Sequence, residues 1–273
     1  MQDITRYGII GCGMMGQEHL RNIALLPTTA VVAIFEPDAK MRLAAQGLAP
    51  DAVFVKSLDQ LLAREDLDCL VIVSPNHVHL EQLERIADYP ARPILVEKPL
   101  FTNTQDLARV EAFKTQYGAP VWVAMEYRYM PPMVEYVNQI HSGKVGRLQM
   151  LSIREHRFPF LPKVGDWNRF NRNTGGTMVE KCCHFFDLMR LIVGSEAVRV
   201  YCSGAMDVNH KDERYHGETP DIIDNSFTTV DFVNGVRAML DLSMFADGAE
   251  NQEEVTAVGD KARLDLFIPE GVL

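Results

Sequence analysis

Gly11-Cys12-Gly13-Met14-Met15-Gly16 stands where an apolar run gives way to a helical pattern. Three glycines at this spacing form a dinucleotide-binding turn. The first allows the tight bend, the second lets main chain approach a pyrophosphate, and the third lets helix pack against strand. The phosphates of a bound dinucleotide would then meet free N–H groups at the positive end of a helix. The surroundings agree. Tyr7-Gly8-Ile9-Ile10 reads as a buried strand, and His19 to Leu26 reads as helical. Glu36 follows 20 residues after Gly16, at the end of a second apolar run, Ala30 to Phe35. An acid at that place suits a ribose hydroxyl. A glycine turn in a structural loop is the plainer reading, but it leaves strand, helix and acid arriving together unexplained.

Outward from this turn, strand and helix patterns alternate. Runs at Ile4–Ile10, Val31–Phe35, Val53–Val55, Cys69–Val73, Ile94–Glu97 and Val121–Met125 read as strands. Met15–Leu26, Ala39–Leu48, Leu58–Ala63, His79–Tyr89 and Thr104–Tyr117 read as helices between them. This order predicts a doubly wound parallel sheet with ligands at the carboxyl ends of the strands. After Met125 the rhythm changes. Met133–His141 reads as a helix, Leu148–Phe158 as a strand, and Pro159–Thr174 as irregular. A single helix is expected from about Gly176 to Val193. Strands are expected at Val198–Ala205, Ser226–Phe232, Val236–Met244 and Glu254–Phe267, the last bending near Gly259-Asp260. Asn234-Gly235 is a hairpin signal. The fold class expected is therefore α/β. Residues 1–125 would form a Rossmann domain, and 126–273 an α+β domain with a large, mostly antiparallel open sheet used for substrate binding and oligomerisation.

The chain has 273 residues, 47% of them hydrophobic, and a formal net charge of −10. That charge, without a basic cluster, argues against a nucleic-acid partner. No apolar run approaches the length of a membrane span, and the N-terminus runs directly into the first strand. Five cysteines, at 12, 69, 182, 183 and 202, lack disulfide-framework spacing. The expectation is a reduced, cytoplasmic protein that contacts no membrane.

Four further stretches carry chemistry. Glu97-Lys98-Pro99 ends the fifth strand, which puts a lysine at the ligand crevice, able to polarise a hydroxyl or relay a proton. An ordinary strand-end lysine facing water is the alternative. In Gly175-Gly176-Thr177-Met178-Val179-Glu180-Lys181-Cys182-Cys183-His184-Phe185-Phe186-Asp187, a continuous helix would set Glu180, His184 and Asp187 on one face. A carboxylate beside an imidazole makes an acid/base pair, although a satisfied core histidine explains His184 equally simply. The adjacent cysteines point to different helix faces and have no second ligand pair, so no metal is expected. Ser74-Pro75-Asn76-His77-Val78-His79 follows the fourth strand at the nicotinamide side and also reads as a helix start capped by Asn76. Asp166-Trp167-Asn168-Arg169 and Arg172 suit a hydroxyl-rich ligand, or simply a solvated loop.

These motifs, in this order, together with Tyr127-Arg128-Tyr129, resemble the Gfo/Idh/MocA oxidoreductases, named for glucose–fructose oxidoreductase, inositol dehydrogenase and a rhizopine-catabolism protein. The resemblance implies hydride exchange between a nicotinamide and a sugar, inositol or related polyol. It implies Lys98 as the catalytic lysine and His184 as the catalytic histidine. Glu180 stands where many members have Asp. Gly11, Gly13, Met14, Met15, Gly16, Glu36, Ser74, Pro75, Asn76, His79, Glu97 and Lys98 would line the cofactor. Lys98, Arg128, Trp167, Asn168 and His184 would line the substrate. Glu36 and Asp38 favour NAD over NADP by repelling a 2′-phosphate. A homodimer or homotetramer built through the second sheet is implied. Members commonly continue beyond the strand matching Ala262–Phe267, so this chain, ending at Leu273, is expected to be shortened relative to them. A non-catalytic nucleotide-sensing regulator and a redox-assisted glycosidase on the same fold remain the alternatives.

Overall fold

A computed structural model of the protein describes residues 4–269. The chain end at Leu273 and the expected shortening there lie outside them. Two compact units emerge. The first takes the chain through Ala124 with Lys163–Trp167 and Arg172–Gly175, and the second takes Met125–Pro162, Asn168–Asn171 and the described chain from Gly176 onward.

The first unit alternates strand and helix: β1 (Thr5–Ile10), α1 (Met14–Ala24), β2 (Thr29–Phe35), α2 (Ala39–Leu48), β3 (Val53–Val55), α3 (Leu58–Leu62), β4 (Cys69–Ile72), α4 (His79–Ile86), β5 (Ile94–Val96), α5 (Leu107–Gln116) and β6 (Val121–Val123). The strands lie in the order β3-β2-β1-β4-β5-β6, every pair parallel. Side chains alternate across a strand, and here both faces are covered. Ile9, Ile34 and Val71 pack with Leu20 and Ile23 of α1 on one side. Their neighbours Ile10, Ala33 and Ile72 pack with Leu61, Leu83 and Ile86 on the other. Near-continuous apolar strands are what a doubly covered parallel sheet requires. Each fully buried Leu or Ile contributes about 1.5–3 kcal/mol through its removal from water. Polar caps set the helix starts: Asp38 accepts from the Met41 N–H, and Ser57 from the Gln60 N–H.

The second unit holds α6 (Pro131–His141), β7 (Leu148–His156), α8 (Thr177–Glu180), α9 (Cys183–Val193), β8 (Ala197–Ala205), β9 (Asn225–Phe232), β10 (Arg237–Ser243), β11 (Glu253–Gly259) and β12 (Arg263–Ile268). A short helix, α7 (Asn171–Thr174), and a 3-10 turn at Val164–Arg169 occupy the stretch read as irregular. The sheet order is β12-β11-β7-β10-β9-β8. Only β7–β10 is parallel among its described pairs. Gly235, at φ +87°, turns β9 into β10 at the Asn-Gly signal. Leu151, Ile153, Leu240 and Val255 face a core shared with Tyr136, Phe185, Leu188 and Ile192 from α6 and α9. The other face carries exposed side chains such as Met150, Phe227 and Met239, and β8 is exposed over nearly its whole length.

One expectation needs correction. The helix expected from Gly176 to Val193 is two helices, broken at Lys181-Cys182. The Lys181 and Cys182 N–H groups both reach the Thr177 carbonyl, at 3.0 and 3.2 Å. The second contact spans five residues, which widens the turn. The break swings the Lys181 side chain into the interior, where the buried carboxylates of Glu155 and Glu253 wait.

Candidate active site

In the first unit the glycine turn is shaped by close main-chain approaches. Gly11 sits at φ +90°, and a Cβ there would lie 2.7 Å from the Ser74 N. A Cβ on Gly16 would lie 2.7 Å from the Gly11 carbonyl oxygen, so only glycine lets α1 begin so close to β1. A Cβ on Gly13, by contrast, meets nothing within 4 Å. Gly13 is the N-cap of α1, makes no side-chain cap, and is followed by exposed Met14 and Met15. Open space, glycine and a helix N-terminus without a side-chain cap fit a pyrophosphate. Cys12, in the turn itself, is buried. Burial, with the Glu36 charge, pushes its thiol up to about 12, which marks it as packing rather than a nucleophile.

Glu36 directly follows β2 and is buried. Its carboxylate accepts from the Cys12 N–H and, at 2.8 Å, from the Asp38 N–H. The acid is thus fixed at the mouth of the glycine turn. Arg42 donates to the Glu36 carbonyl at 2.7 Å, which occupies with main chain the nearest arginine that follows Glu36.

At the ends of β4 and β5, His79 ties two loops together. Its Nδ1 lies 2.8 Å from the Pro99 carbonyl and its Nε2 3.0 Å from the Ser74 carbonyl. The ring is fully buried, and burial lowers its pKa. His79, expected at the cofactor, therefore acts on the loops carrying Ser74, Pro75 and Lys98. Ser74 Oγ donates to Gln82, and Asn76 is buried. Glu97 is buried against His19, with 2.7 Å between Nε2 and Oε1, and accepts from the Lys98 N–H. Burial opposes the Glu97 charge. The His19 hydrogen bond and the His19 and Lys98 charges outweigh it and hold the carboxyl below the usual carboxylate range. Lys98 follows directly, half-buried at the carboxyl end of the sheet. Trp167 belongs to this unit, its ring 6.1 Å from that of His77 and beneath the Lys163 ammonium.

Gly175 and Gly176, both with positive φ, bend the chain into α8, the first helix after Gly176 in the second unit. Glu180 is buried at its end. His184 stands in the first turn of α9, with its Nε2 3.5 Å from Glu126 Oε1. Its ring stacks on Tyr127, with centroids 4.6 Å apart and planes at 13°. The Tyr127 hydroxyl donates to Glu253 at 2.6 Å and accepts from Lys181 at 2.7 Å. Lys181 also lies 3.1 Å from Glu155. Burial and the neighbouring carboxylates push the Tyr127 pKa up, so the phenol stays protonated.

Arg128, expected at the substrate, closes its fork on Asp187 through two hydrogen bonds. Asn168 is buried, and its amide donates to the Leu161 carbonyl at 3.0 Å. The sequence reading gave no role to Glu126, Lys181, Glu155 or Glu253. A signal for the last two existed: they occupy inward positions of alternating strands, in line with Leu151 and Ile153, and with Val255 and Ala257. Among the described residues no group of three His, Cys, Asp or Glu is placed to hold a metal. No helix among them is long and apolar enough to cross a membrane.

Comparison with known proteins covers both units. Residues 5–125 match the oxidoreductase family's NAD-binding Rossmann fold, and residues 137–271 its C-terminal alpha/beta domain. An uncharacterized oxidoreductase of Bacillus subtilis, YrbE, is 29% identical over 264 residues, covering 96% of this chain and 74% of that protein. Inositol 2-dehydrogenase 2 of Saccharopolyspora erythraea is 27% identical, covering 96% and 73%. The crystal structure of a myo-inositol dehydrogenase from Corynebacterium glutamicum is similar at a TM-score of 0.77 and 25% identity, covering 97% of this chain and 75% of that one. With its glycine turn and parallel sheet in one unit, its Gly-Gly and His184 segment in the other, and a family match in each, the chain belongs to the Gfo/Idh/MocA oxidoreductases.

Proposed function

We propose that this protein is an NAD-dependent dehydrogenase that moves hydride between the nicotinamide and a secondary alcohol of a cyclic polyol or sugar. The observation that carries the reading is the glycine turn, open at Gly13 and closed behind by Glu36, beside a strand end that presents Lys98. The inositol dehydrogenases among its relatives support the substrate class.

Gly13, Met14 and Met15 would offer main-chain N–H groups to the pyrophosphate. Glu36 would accept from the ribose hydroxyls and repel a 2′-phosphate, which favours NAD over NADP. Ser74, Pro75 and Asn76, held by His79, would line the nicotinamide side. When bound, the nicotinamide accepts the carbinol hydrogen with its electron pair at C4. His184 takes the hydroxyl proton, and Glu126 and Glu180 bring carboxylate charge to its segment. Lys98, in its own unit, has the chemistry to donate to a substrate oxygen and stabilise charge developing on it. Five free thiols suit a reducing cytoplasm. The exposed outer face of the second sheet, with Met150, Tyr201, Phe227 and Met239, suits a homodimer or homotetramer.

The test is a panel of cyclic polyols and sugars with NAD, read by NADH absorbance, alongside fluorescence titrations with NADH and NADPH. The expected result is NADH formation with at least one polyol and tighter binding of NADH. NADH binding with no turnover across the panel would indicate a regulator. Aglycone release from glycosides without net NADH would indicate a glycosidase. Tighter NADPH binding would overturn the cofactor preference.

A further inference from the structure

Glu155 and Glu253 are directly paired across β7 and β11, on the core face. Two carboxyl groups placed opposite each other in an antiparallel ladder resist being charged together, and both side chains are almost completely shielded from water. Lys181, delivered by the break between α8 and α9, lies 3.1 Å from Glu155 and 3.7 Å from Glu253. Arg157 approaches Glu155 at 3.5 Å. A buried triad of this kind is a poor stability device, because desolvation offsets most of the attraction. Its value lies in fixing one geometry, and the Tyr127 hydroxyl is joined to it, accepting from Lys181 and donating to Glu253, which also accepts from the Gln252 amide at 3.3 Å.

We propose that Tyr127 is a positioning residue for His184, its ring held flat against the imidazole because its hydroxyl is clamped between Lys181 and Glu253. This rests on the reading of His184 as proton acceptor. Clamping the phenol oxygen at two points fixes where the ring lies. The ring, stacked at 4.6 Å, then stops the imidazole turning about its own side-chain bonds. The phenol face is electron-rich and attracts a cation, so the same contact supports the imidazole as it gains a proton. Phe185 packs edge-on to Tyr127 at 5.9 Å and leaves the face on His184 as the stacked one. Packing alone would need only a phenylalanine at 127. The hydroxyl and its buried ionic clamp are the additional investment that positioning explains.

The experiment compares full-length wild type, Tyr127→Phe, Tyr127→Leu, His184→Ala and the Tyr127→Leu/His184→Ala double variant. Histidine-labelled NMR reads the His184 ring directly, its signal assigned by its loss in His184→Ala, with the other histidine signals reporting an intact fold. In wild type the His184 ring protons are shifted upfield by the tyrosine. The shift persists, broadened, in Tyr127→Phe and disappears in Tyr127→Leu. In turnover with NAD and an active polyol from the panel, Tyr127→Leu lowers kcat by up to about 10²-fold, the scale of a small misplacement of a reacting group. Its KM for NAD is unchanged, and Tyr127→Phe, which keeps the ring but loses the clamp, falls between Tyr127→Leu and wild type; wild-type kcat in Tyr127→Phe would show that the clamp positions nothing. In the His184→Ala background the leucine costs nothing further, because the two residues act as one unit. An unaltered His184 shift in Tyr127→Leu, or an equal kcat loss in both backgrounds, would overturn the proposal. Wild-type turnover in His184→Ala would instead sink the catalytic reading, while the ring shift would still decide whether Tyr127 holds the imidazole.

Discussion

The glycine turn of the first unit and the surroundings of His184 in the second are built by opposite means. The turn is made of main chain. Gly11, Gly13 and Gly16 lie within six residues, and Glu36 closes onto the Cys12 N–H from the next strand. The surroundings of His184 are made of side chains from distant segments: Tyr127 before α6, Glu155 on β7, Lys181 between α8 and α9, and Glu253 on β11. A backbone device is written locally and tolerates almost any side chain that leaves the turn intact. A side-chain device depends on the whole second sheet forming in register. The first is therefore expected to respond to single-residue steric changes, and the second to changes of charge far from the reacting atoms.

Three substitutions sharpen the contrast, taken from the largest expected effect to the smallest. His184→Ala should lower kcat by about 10²–10⁴, the usual contribution of a positioned general base, while NADH binding at the glycine turn is unchanged in a fluorescence titration. Loss of NADH affinity in this variant would show that the two devices are not separate. Lys181→Met leaves Glu253 and Glu155 without their shared cation. It should lower stability by about 3–5 kcal/mol in denaturant unfolding, with Glu155→Gln in the same chain restoring part of it. Unchanged stability would mean that the ionic clamp is not formed.

The third concerns pH. Burial, with the Glu253 charge, pushes the Glu155 carboxyl up to about 8 against the opposing pull of Lys181 and Arg157. A carboxyl whose folded pKa exceeds its unfolded value of 4.5 contributes stability that is fully present at low pH. That contribution is lost as pH rises from the unfolded toward the folded value. Wild type should therefore lose part of its thermal stability across that window, and Glu155→Gln should flatten the loss. An identical slope in both proteins would contradict the assignment.

The same contrast explains what the sequence made legible. Ala39–Leu48 and Val53–Val55 were readable to the residue because apolar period and flanking caps are local signals. That the strands around Gly11 form a parallel, doubly wound sheet followed from their alternation with helices. The α8–α9 break was not readable. The pattern from Gly176 to Val193 is helical throughout, and the contacts of Lys181 with Glu155 and Glu253, which accompany the break, come from strands distant in sequence. The pairing of Arg128 with Asp187, 59 residues away, was not readable either. His79 had the look of a cofactor contact because its neighbours Ser74 and Asn76 do. Its two carbonyl partners, one of them on Pro99 beyond the next strand, become visible only once β4 and β5 are side by side. In each case the missing information was a long-range pairing of polar groups, which no local pattern records.

The central claim is direct transfer of a carbinol hydrogen to the nicotinamide. It is tested most directly by supplying myo-inositol, or whichever panel polyol is oxidised, deuterated at its carbinol carbons together with unlabelled NAD, and examining the reduced cofactor by mass spectrometry. The account predicts deuterium on the nicotinamide ring and a slower initial rate than with unlabelled polyol. Reduced cofactor without deuterium, with the label recovered in water, would contradict it.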